Sequence, residues 1–188
     1  MSIIMDDPAP LLAQRIRAER DSRGWSLAEL AARSHVSKAM LSKVEREEVS
    51  PTAVILSRIA TAFGLTLAEL LTDAPEAARR LLRFQEQPTW RDPDTGYIRR
   101  QVFLDSKSPL ELVDVTLPGR TSVSFPSSSY ERARHVAWVL SGQLTIFEGP
   151  AEHVLKQGDR LEFGPPSDVT FRNTASAPCR YMIALLRV

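Results

Sequence analysis

Residues 26–45 read SLAELAARSHVSKAMLSKVE, and this stretch decides the fold of the N-terminal part of the chain. Ser26 and Glu29 stand at S-x-x-E spacing, a capping box that satisfies free N–H groups at a helix start. Leu27, Leu30 and Ala31 then fall on one face at helical spacing. Ser34-His35-Val36 interrupts that helix, and Ser37 is placed to cap a second one whose inward residues are Leu41 and Val44. The opposite face carries Lys38, Ala39, Ser42 and Lys43. A short helix with small and cationic residues outward suits the major groove of DNA, which is wide enough to admit one.

The flanks extend the same pattern. A helix is expected from about Ala9 to Arg23, with Leu12 and Ile16 inward and Gly24 in the left-handed position after its end. Ser50-Pro51-Thr52 starts a fourth helix, whose inward residues are Leu56, Ile59, Ala60 and Phe63 and which Gly64 ends. Thr66 and Glu69 form a second capping box ahead of Leu67, Leu70 and Leu71. Residues 9–72 therefore read as a compact bundle of five short helices, preceded by a loose leader over 1–8.

Composition narrows the function classes. Of 188 residues, 43% are apolar, and 24 Lys+Arg nearly balance 23 Asp+Glu. A uniformly basic protein is excluded, so any nucleic-acid contact belongs to a local patch. Residues 11–64 hold nine Lys/Arg against six acids, a net of +3, in modest support of a phosphate backbone as partner. A single cysteine, Cys179, rules out an intrachain disulfide. The N-terminus has no basic region followed by an apolar core, and no apolar run spans a bilayer. The expectation is a soluble cytoplasmic protein with no membrane partner.

After residue 72 the character changes. Thr72-Asp73-Ala74-Pro75 reads as a hinge, and Glu76 to Arg83 as a short helix or an extended segment. Prolines and β-formers take over from Phe84, with strands expected around a turn at residues 92–96. LELVDVTL, SVSF, HVAWVL, QLTIF, DRLEF, VTFRN and RYMIALL follow at roughly ten-residue spacing with Gly or Pro between them. That spacing marks an antiparallel sandwich or barrel. The expected architecture is an α+β multidomain chain: helical domain 9–72, linker 73–99 with short helix or strands, all-β domain 100–188.

Residues 12–71 resemble the Cro/phage-repressor type of helix-turn-helix domain, the XRE family. The likeness lies in LAQRIRAERDSRGWSLAELA, VSKAMLSKVERE and SPTAVILSRIATAFGLTLAELL, and so covers the whole domain. It implies a DNA-binding set of Ser26, Ser37, Lys38, Ala39, Ser42, Lys43, Arg46 and Thr52. Lys38 and Lys43 would donate to guanine, Ala39 would touch a thymine methyl, and Ser26 with its helix start would hold a phosphate. It also implies a structural pair, Arg20 with Glu45. Two positions depart from the pattern: His35 stands where the turn usually has Gly, and Leu27 where a polar phosphate-binding residue is common. Without the resemblance, the same lysines are an ordinary solvated face and Arg20–Glu45 an ordinary surface pair.

Residues 100–188 resemble a cupin, a small jelly-roll barrel. The matching residues are Pro118-Gly119, VLSGQLTIFEG (139–149), Gly158-Asp159, LEFGPP (161–166) and FRN (171–173). Metal-dependent cupins carry an H-x-H pair, a Glu and a later His. Counting from the matching glycines, those positions fall near Phe125 and Ser127, at His135 and at Val169. Phe and Val cannot ligate a metal, so neither a metal nor another cofactor is expected. Some phosphonate epoxidases share this two-domain layout with an iron-binding cupin, which makes a metal enzyme the competing class; a barrel that only dimerises is a third. The favoured reading is a homodimeric transcriptional regulator, without enzymatic activity, that binds a double-stranded DNA operator and senses an unknown small-molecule effector. Phe125, Ser127, Tyr130, Arg134, His135, Val169 and Phe171 are the candidate pocket residues. For His135 a core histidine satisfied by backbone is an equal alternative. Trp138 points to the opposite strand face, and Cys179 is a buried inert thiol before it is a redox sensor.

Overall fold

The computed structural model describes residues 9–72 and 80–187; the expected leader 1–8, the hinge residues 73–75 and residues 76–79 of the segment 76–83 lie outside them. Five helices come first: α1 (Ala9–Ser22), α2 (Leu27–Ser34), α3 (Lys38–Glu45), α4 (Ala53–Phe63) and α5 (Leu67–Leu71). Their ends follow from local chemistry. Ser26 accepts from the Glu29 N–H while Glu29 returns the bond to the Ser26 N–H, and Thr66 with Glu69 repeats the box at α5. Ser37 caps α3 and Thr52 caps α4. His35 closes α2 in the left-handed region at φ 54°, so the histidine adopts the conformation for which the position ordinarily takes Gly. Leu12, Ile16, Leu30, Leu41, Val44, Leu56, Ile59 and Leu70 are buried together as the core of this head.

The rest is a barrel of two antiparallel sheets. The six-stranded sheet runs β1 (Thr89–Arg91), β2 (Ile98–Leu104), β3 (Leu110–Leu117), β10 (Cys179–Arg187), β5 (Ala133–Ser141), β8 (Arg160–Glu162). The four-stranded sheet runs β4 (Thr121–Phe125), β9 (Val169–Asn173), β6 (Gln143–Glu148), β7 (Ala151–Lys156). This is the jelly roll the cupin resemblance implied. Every second residue points inward, so Val113, Val115, Leu117, Val139, Ile146, Phe171 and Tyr181 form its core. Gly119 is needed where its loop crosses another, because a Cβ there would lie 2.1 Å from the Ser176 carbonyl oxygen. Among the described residues no helix is long and apolar enough to cross a membrane.

Two elements differ from expectation. Residues 89–99, expected in the linker, belong to the barrel: β1 and β2 pair as a hairpin and extend the six-stranded sheet. Strand β7 was not among the expected strands. Its only strongly apolar residues, Val154 and Leu155, are adjacent and do not alternate, so the period-two signal is missing from this edge strand.

Head and barrel are joined by specific polar contacts. Asp92, in the β1–β2 turn, is buried. Its Oδ1 accepts from the N–H groups of Asp94 and Thr95, which holds the turn. Its Oδ2 accepts from the Ala53 N–H at 2.6 Å, so a barrel carboxylate caps the first turn of α4, where the helix dipole favours an anion. Ser57 meets Ser129 at 2.7 Å, Thr66 donates to Glu111 at 3.0 Å, and Arg187 pairs with Glu69.

Candidate functional site

Two sites take shape on the molecule. The first is the outward face of α3. Leu41 and Val44 are buried beneath it, while Lys38, Ala39 and Lys43 are exposed and Ser42 is half-buried. The two lysines form no ion pair among the described residues, so both ammonium groups are available to an anion. Arg20 braces the far end of this helix. Its Nε and Nη2 donate to the two Glu45 oxygens at 2.7 and 3.0 Å, and its Nη1 donates to the Trp25 carbonyl. The Arg20 and Glu45 side chains are only 14% and 8% exposed. The bond to Glu45 holds the guanidinium further above its ordinary pKa. This is a half-buried fork geometry, stronger than the surface-pair alternative.

The remaining residues of the DNA-binding set are placed less simply. The Ser37 oxygen accepts from the Met40 N–H at 3.2 Å, which leaves its hydroxyl proton free to donate outward. Ser26 is arranged alike, but its own N–H is taken by Glu29 at 2.7 Å. A carboxylate therefore stands beside the expected phosphate cradle at the start of α2. Arg46 folds back on Glu48 and on the Ser42 carbonyl. The Thr52 hydroxyl oxygen accepts from the Ile55 N–H at 3.4 Å, so its first role is that of a cap.

The second site is a cavity of about 380 Å³ at the seam, within the ~300–1,000 Å³ range of small-molecule sites. Its walls come from both domains. Ser57, Thr61, Leu65, Thr66, Leu67 and Glu69 line it from the head; Tyr97, Arg99, Phe125, Tyr130, His135, Phe163, Phe171 and Tyr181 line it from the barrel. Four of the candidate pocket residues therefore do face it: Phe125, Tyr130, His135 and Phe171. Three do not. Arg134 lies on the outer face, 66% exposed and paired with Glu162. Val169 is buried but stands away from the cavity wall, and Ser127 sits in the turn Ser127–Ser129, its N–H on Asp168, while Ser128 and Ser129 reach the cavity.

His135 is held by backbone and also borders the cavity. It is buried, its Nδ1 lies 3.1 Å from the Ala133 carbonyl oxygen, and it lines the cavity. A carbonyl only accepts, so Nδ1 carries the proton and Nε2 is an acceptor. Burial lowers its pKa from 6.5 to about 4, which keeps the ring neutral. At the positions of cupin metal ligands, Phe125 packs edge-on against Phe171 and Val169 is core. This donor set does not fit a metal, and no cluster of three His, Cys, Asp or Glu occurs among the described residues. Cys179 is buried, and desolvation pushes its thiol up to about 11, so it is an unreactive core residue.

Sequence reading missed a polar group on the cavity wall, Arg99, and one buried near it, Glu111. Arg99 shares the inward face of β2 with Gln101, in step with Tyr97 just ahead of the strand, and Glu111 shares that of β3 with Val113, Val115 and Leu117. The signal was present: a charged residue on the apolar side of an alternating strand, in YIRRQ and in LELVDVTL. Glu111 is fully buried. One oxygen takes the Thr66 hydroxyl, the other has no partner, and Arg187 stands 3.9 Å away. Burial raises its carboxyl above the ordinary range, against the pull of Thr66, Arg99 and Arg187.

Comparison with known proteins agrees with this division. Residues 16–70 match the family model HTH_3, Helix-turn-helix, and the head is a helix-turn-helix domain of the XRE type. The chain is 36% identical over 83 residues to the HTH-type transcriptional regulator SutR of Escherichia coli, covering 44% of this chain and 47% of that protein. It is 38% identical over 65 residues to the transcriptional regulator ClgR of Mycobacterium tuberculosis, covering 35% and 58%. The chain thus spans about half the length of the curated relatives it matches. The crystal structure of an HTH_3 family transcriptional regulator from Vibrio cholerae superposes with a TM-score of 0.80 at 24% identity, over 96% of this chain and 97% of that one. Helical head and barrel together are therefore a known two-domain fold.

Proposed function

We propose that the chain is a sequence-specific transcriptional regulator of the cytoplasm. In this reading α3 enters the major groove of a double-stranded DNA operator, and the barrel senses a small molecule. The observation that carries the DNA reading is the outward face of α3: two unpaired lysines flank Ala39 and Ser42 on a helix fixed by the Ser37 cap and the Arg20–Glu45 fork. Lysine donors match guanine O6 and N7, and a small residue between them lets the helix approach the bases. Selection from a randomised duplex library tests this. The expected product is a sequence with two-fold symmetry whose half-sites lie about 34 Å apart, or a multiple of that. Binding that depends on salt and not on sequence contradicts it.

A homodimer follows from the same arithmetic. One short helix reads only a few base pairs, and pairing two modestly basic heads supplies the missing avidity. The outer face of the six-stranded sheet, where Trp138 is 50% exposed beside Val136, Met182 and Ala184, is the apolar surface assigned to the second copy. Sedimentation of wild type and Trp138→Glu is expected to show a dimer and its loss.

The sensing role rests on the position of the cavity. Its wall is completed by α4 and α5, so an occupant touches the barrel and the DNA-reading domain at once. A ligand shifts the placement of the heads only by its difference in affinity for the two placements, and a seam cavity is where such a difference arises. The barrel is assigned no catalytic step, because Phe125 and Val169 stand where a metal enzyme needs ligands. Elemental analysis of the purified protein is expected to find no stoichiometric transition metal; one ion held per chain restores the enzyme reading.

A further inference from the structure

The charges around the cavity select a class of ligand. Three arginines border it: Arg99, Arg132 and Arg187. Arg187 is matched by Glu69. Arg132 lies over Gly64, its Nη1 2.6 Å from where a Cβ would stand. Arg99 projects inward from β2, and its Nε is buried without a hydrogen-bond partner. Neither Arg99 nor Arg132 forms an ion pair among the described residues. Glu111 is the acid whose charge acts on Arg99, yet its Oε1 is engaged by Thr66 and its burial favours the neutral form. The count of arginines and acids leaves at least one cation uncompensated at the cavity wall. An unmatched buried charge is costly, and a guanidinium offers a planar fork of donors that fits a carboxylate.

The rest of the wall is aromatic. Phe125, Tyr130, Phe163 and Phe171 border the space, with Tyr130 and Phe163 centroids 5.6 Å apart and Phe163 and Phe171 6.0 Å apart. Burial keeps the Tyr130 and Tyr181 phenols protonated, so both serve as neutral donors to an anion. We propose that the seam cavity is a binding site for a small aromatic monocarboxylate, with its carboxylate on Arg99 and its ring among Phe125, Tyr130, Phe163 and Phe171. The assignment rests on the sensing role given to the cavity above.

Calorimetric titration of the full chain with benzoate, phenylacetate and 4-hydroxybenzoate, each against its neutral amide, tests the class. At least one acid is expected to bind with a Kd of about 1 mM or tighter, and at least tenfold more tightly than its amide. Arg99→Gln weakens that binding at least tenfold, Arg99→Lys less, and Arg134→Gln on the outer face leaves it unchanged. Should Arg99→Gln fail to fold, the acid–amide contrast in the wild type and the Arg99→Lys affinity decide. The proposal is overturned if no acid binds, if the amides bind as well, if inorganic phosphate binds and the acids do not, or if folded Arg99→Gln binds as the wild type does. These titrations contain no DNA. Failure of the operator reading shows separately, as absence of sequence-specific duplex binding by the same preparation.

Discussion

The head and the barrel handle polar groups in opposite ways. In the head, hydroxyls and carboxylates are spent at helix ends, each satisfying a backbone N–H within three residues, as Ser26, Ser37, Thr52 and Thr66 do. The cations left over, Lys38 and Lys43, face outward. In the barrel, Arg99 and His135 border the interior cavity and Glu111 is buried near it, at atoms the protein does not fully satisfy. A head built this way presents charge to a large external anion; a barrel built this way holds charge for something that enters.

The largest effect that separates the two regions is on DNA. Lys38→Ala with Lys43→Ala is expected to weaken operator binding by about 100-fold or more, at ~1–3 kcal/mol for each base-reading contact. The melting of the barrel should not move. Wild-type affinity in a fluorescence-anisotropy titration of the double variant would remove α3 from the interface.

The seam comes next. Asp92→Ala deletes the cap on α4 and the acceptor of the β1–β2 turn together, and is expected to cost about 3 kcal/mol in urea unfolding. A loss confined to the barrel would mean that the head does not depend on its neighbour. Glu45→Gln leaves Arg20 with only the more exposed Asp21 as counter-charge and should cost about 2 kcal/mol, with the loss in the head and none in ligand binding.

A pH dependence belongs to the barrel. His135 has a pKa lowered to about 4 by burial. The unfolded chain takes up a proton near pH 6.5 that the folded chain refuses. Its contribution is therefore intact above pH 6.5 and lost as pH falls toward 4, up to about 3 kcal/mol. Glu111 acts in the other direction, since its raised carboxyl binds a proton in the fold before it would in the unfolded chain. His135→Asn should flatten the acid-side fall in stability, and Glu111→Gln should steepen it. An unchanged profile in both variants would place the acid sensitivity elsewhere.

The same contrast explains what could be read from the sequence. Helix starts are encoded by residues three apart, so both capping boxes, the Ser37 cap, the His35 turn and the five helices were legible. Most strands were legible too, because inward residues alternate; β7 was not, because its apolar pair is adjacent. The Arg20–Glu45 fork joins residues far apart in the chain and was reached through the family likeness. The seam had no such route. Asp92 read as a turn residue, and its second oxygen on Ala53 depends on how two domains dock. Arg99 and Glu111 stand in strand segments, and only the register puts them inside. Val169 entered the pocket set through the cupin register and Arg134 lies beside His135 in the chain; the burial of the first away from the wall and the outward turn of the second remove them.

The central claim is that α3 lies in the major groove. It can be tested by attaching a photo-cross-linker to Ala39→Cys and, as a control, to Glu152→Cys on the exposed edge of β7. Cys179 is 1% exposed, so the native thiol does not compete for the label. Irradiation on the selected operator is predicted to link the Ala39→Cys protein to major-groove atoms of the half-site bases, and the Glu152→Cys protein to none. Equal linkage from both, or linkage from Ala39→Cys only outside the half-sites, would contradict the account.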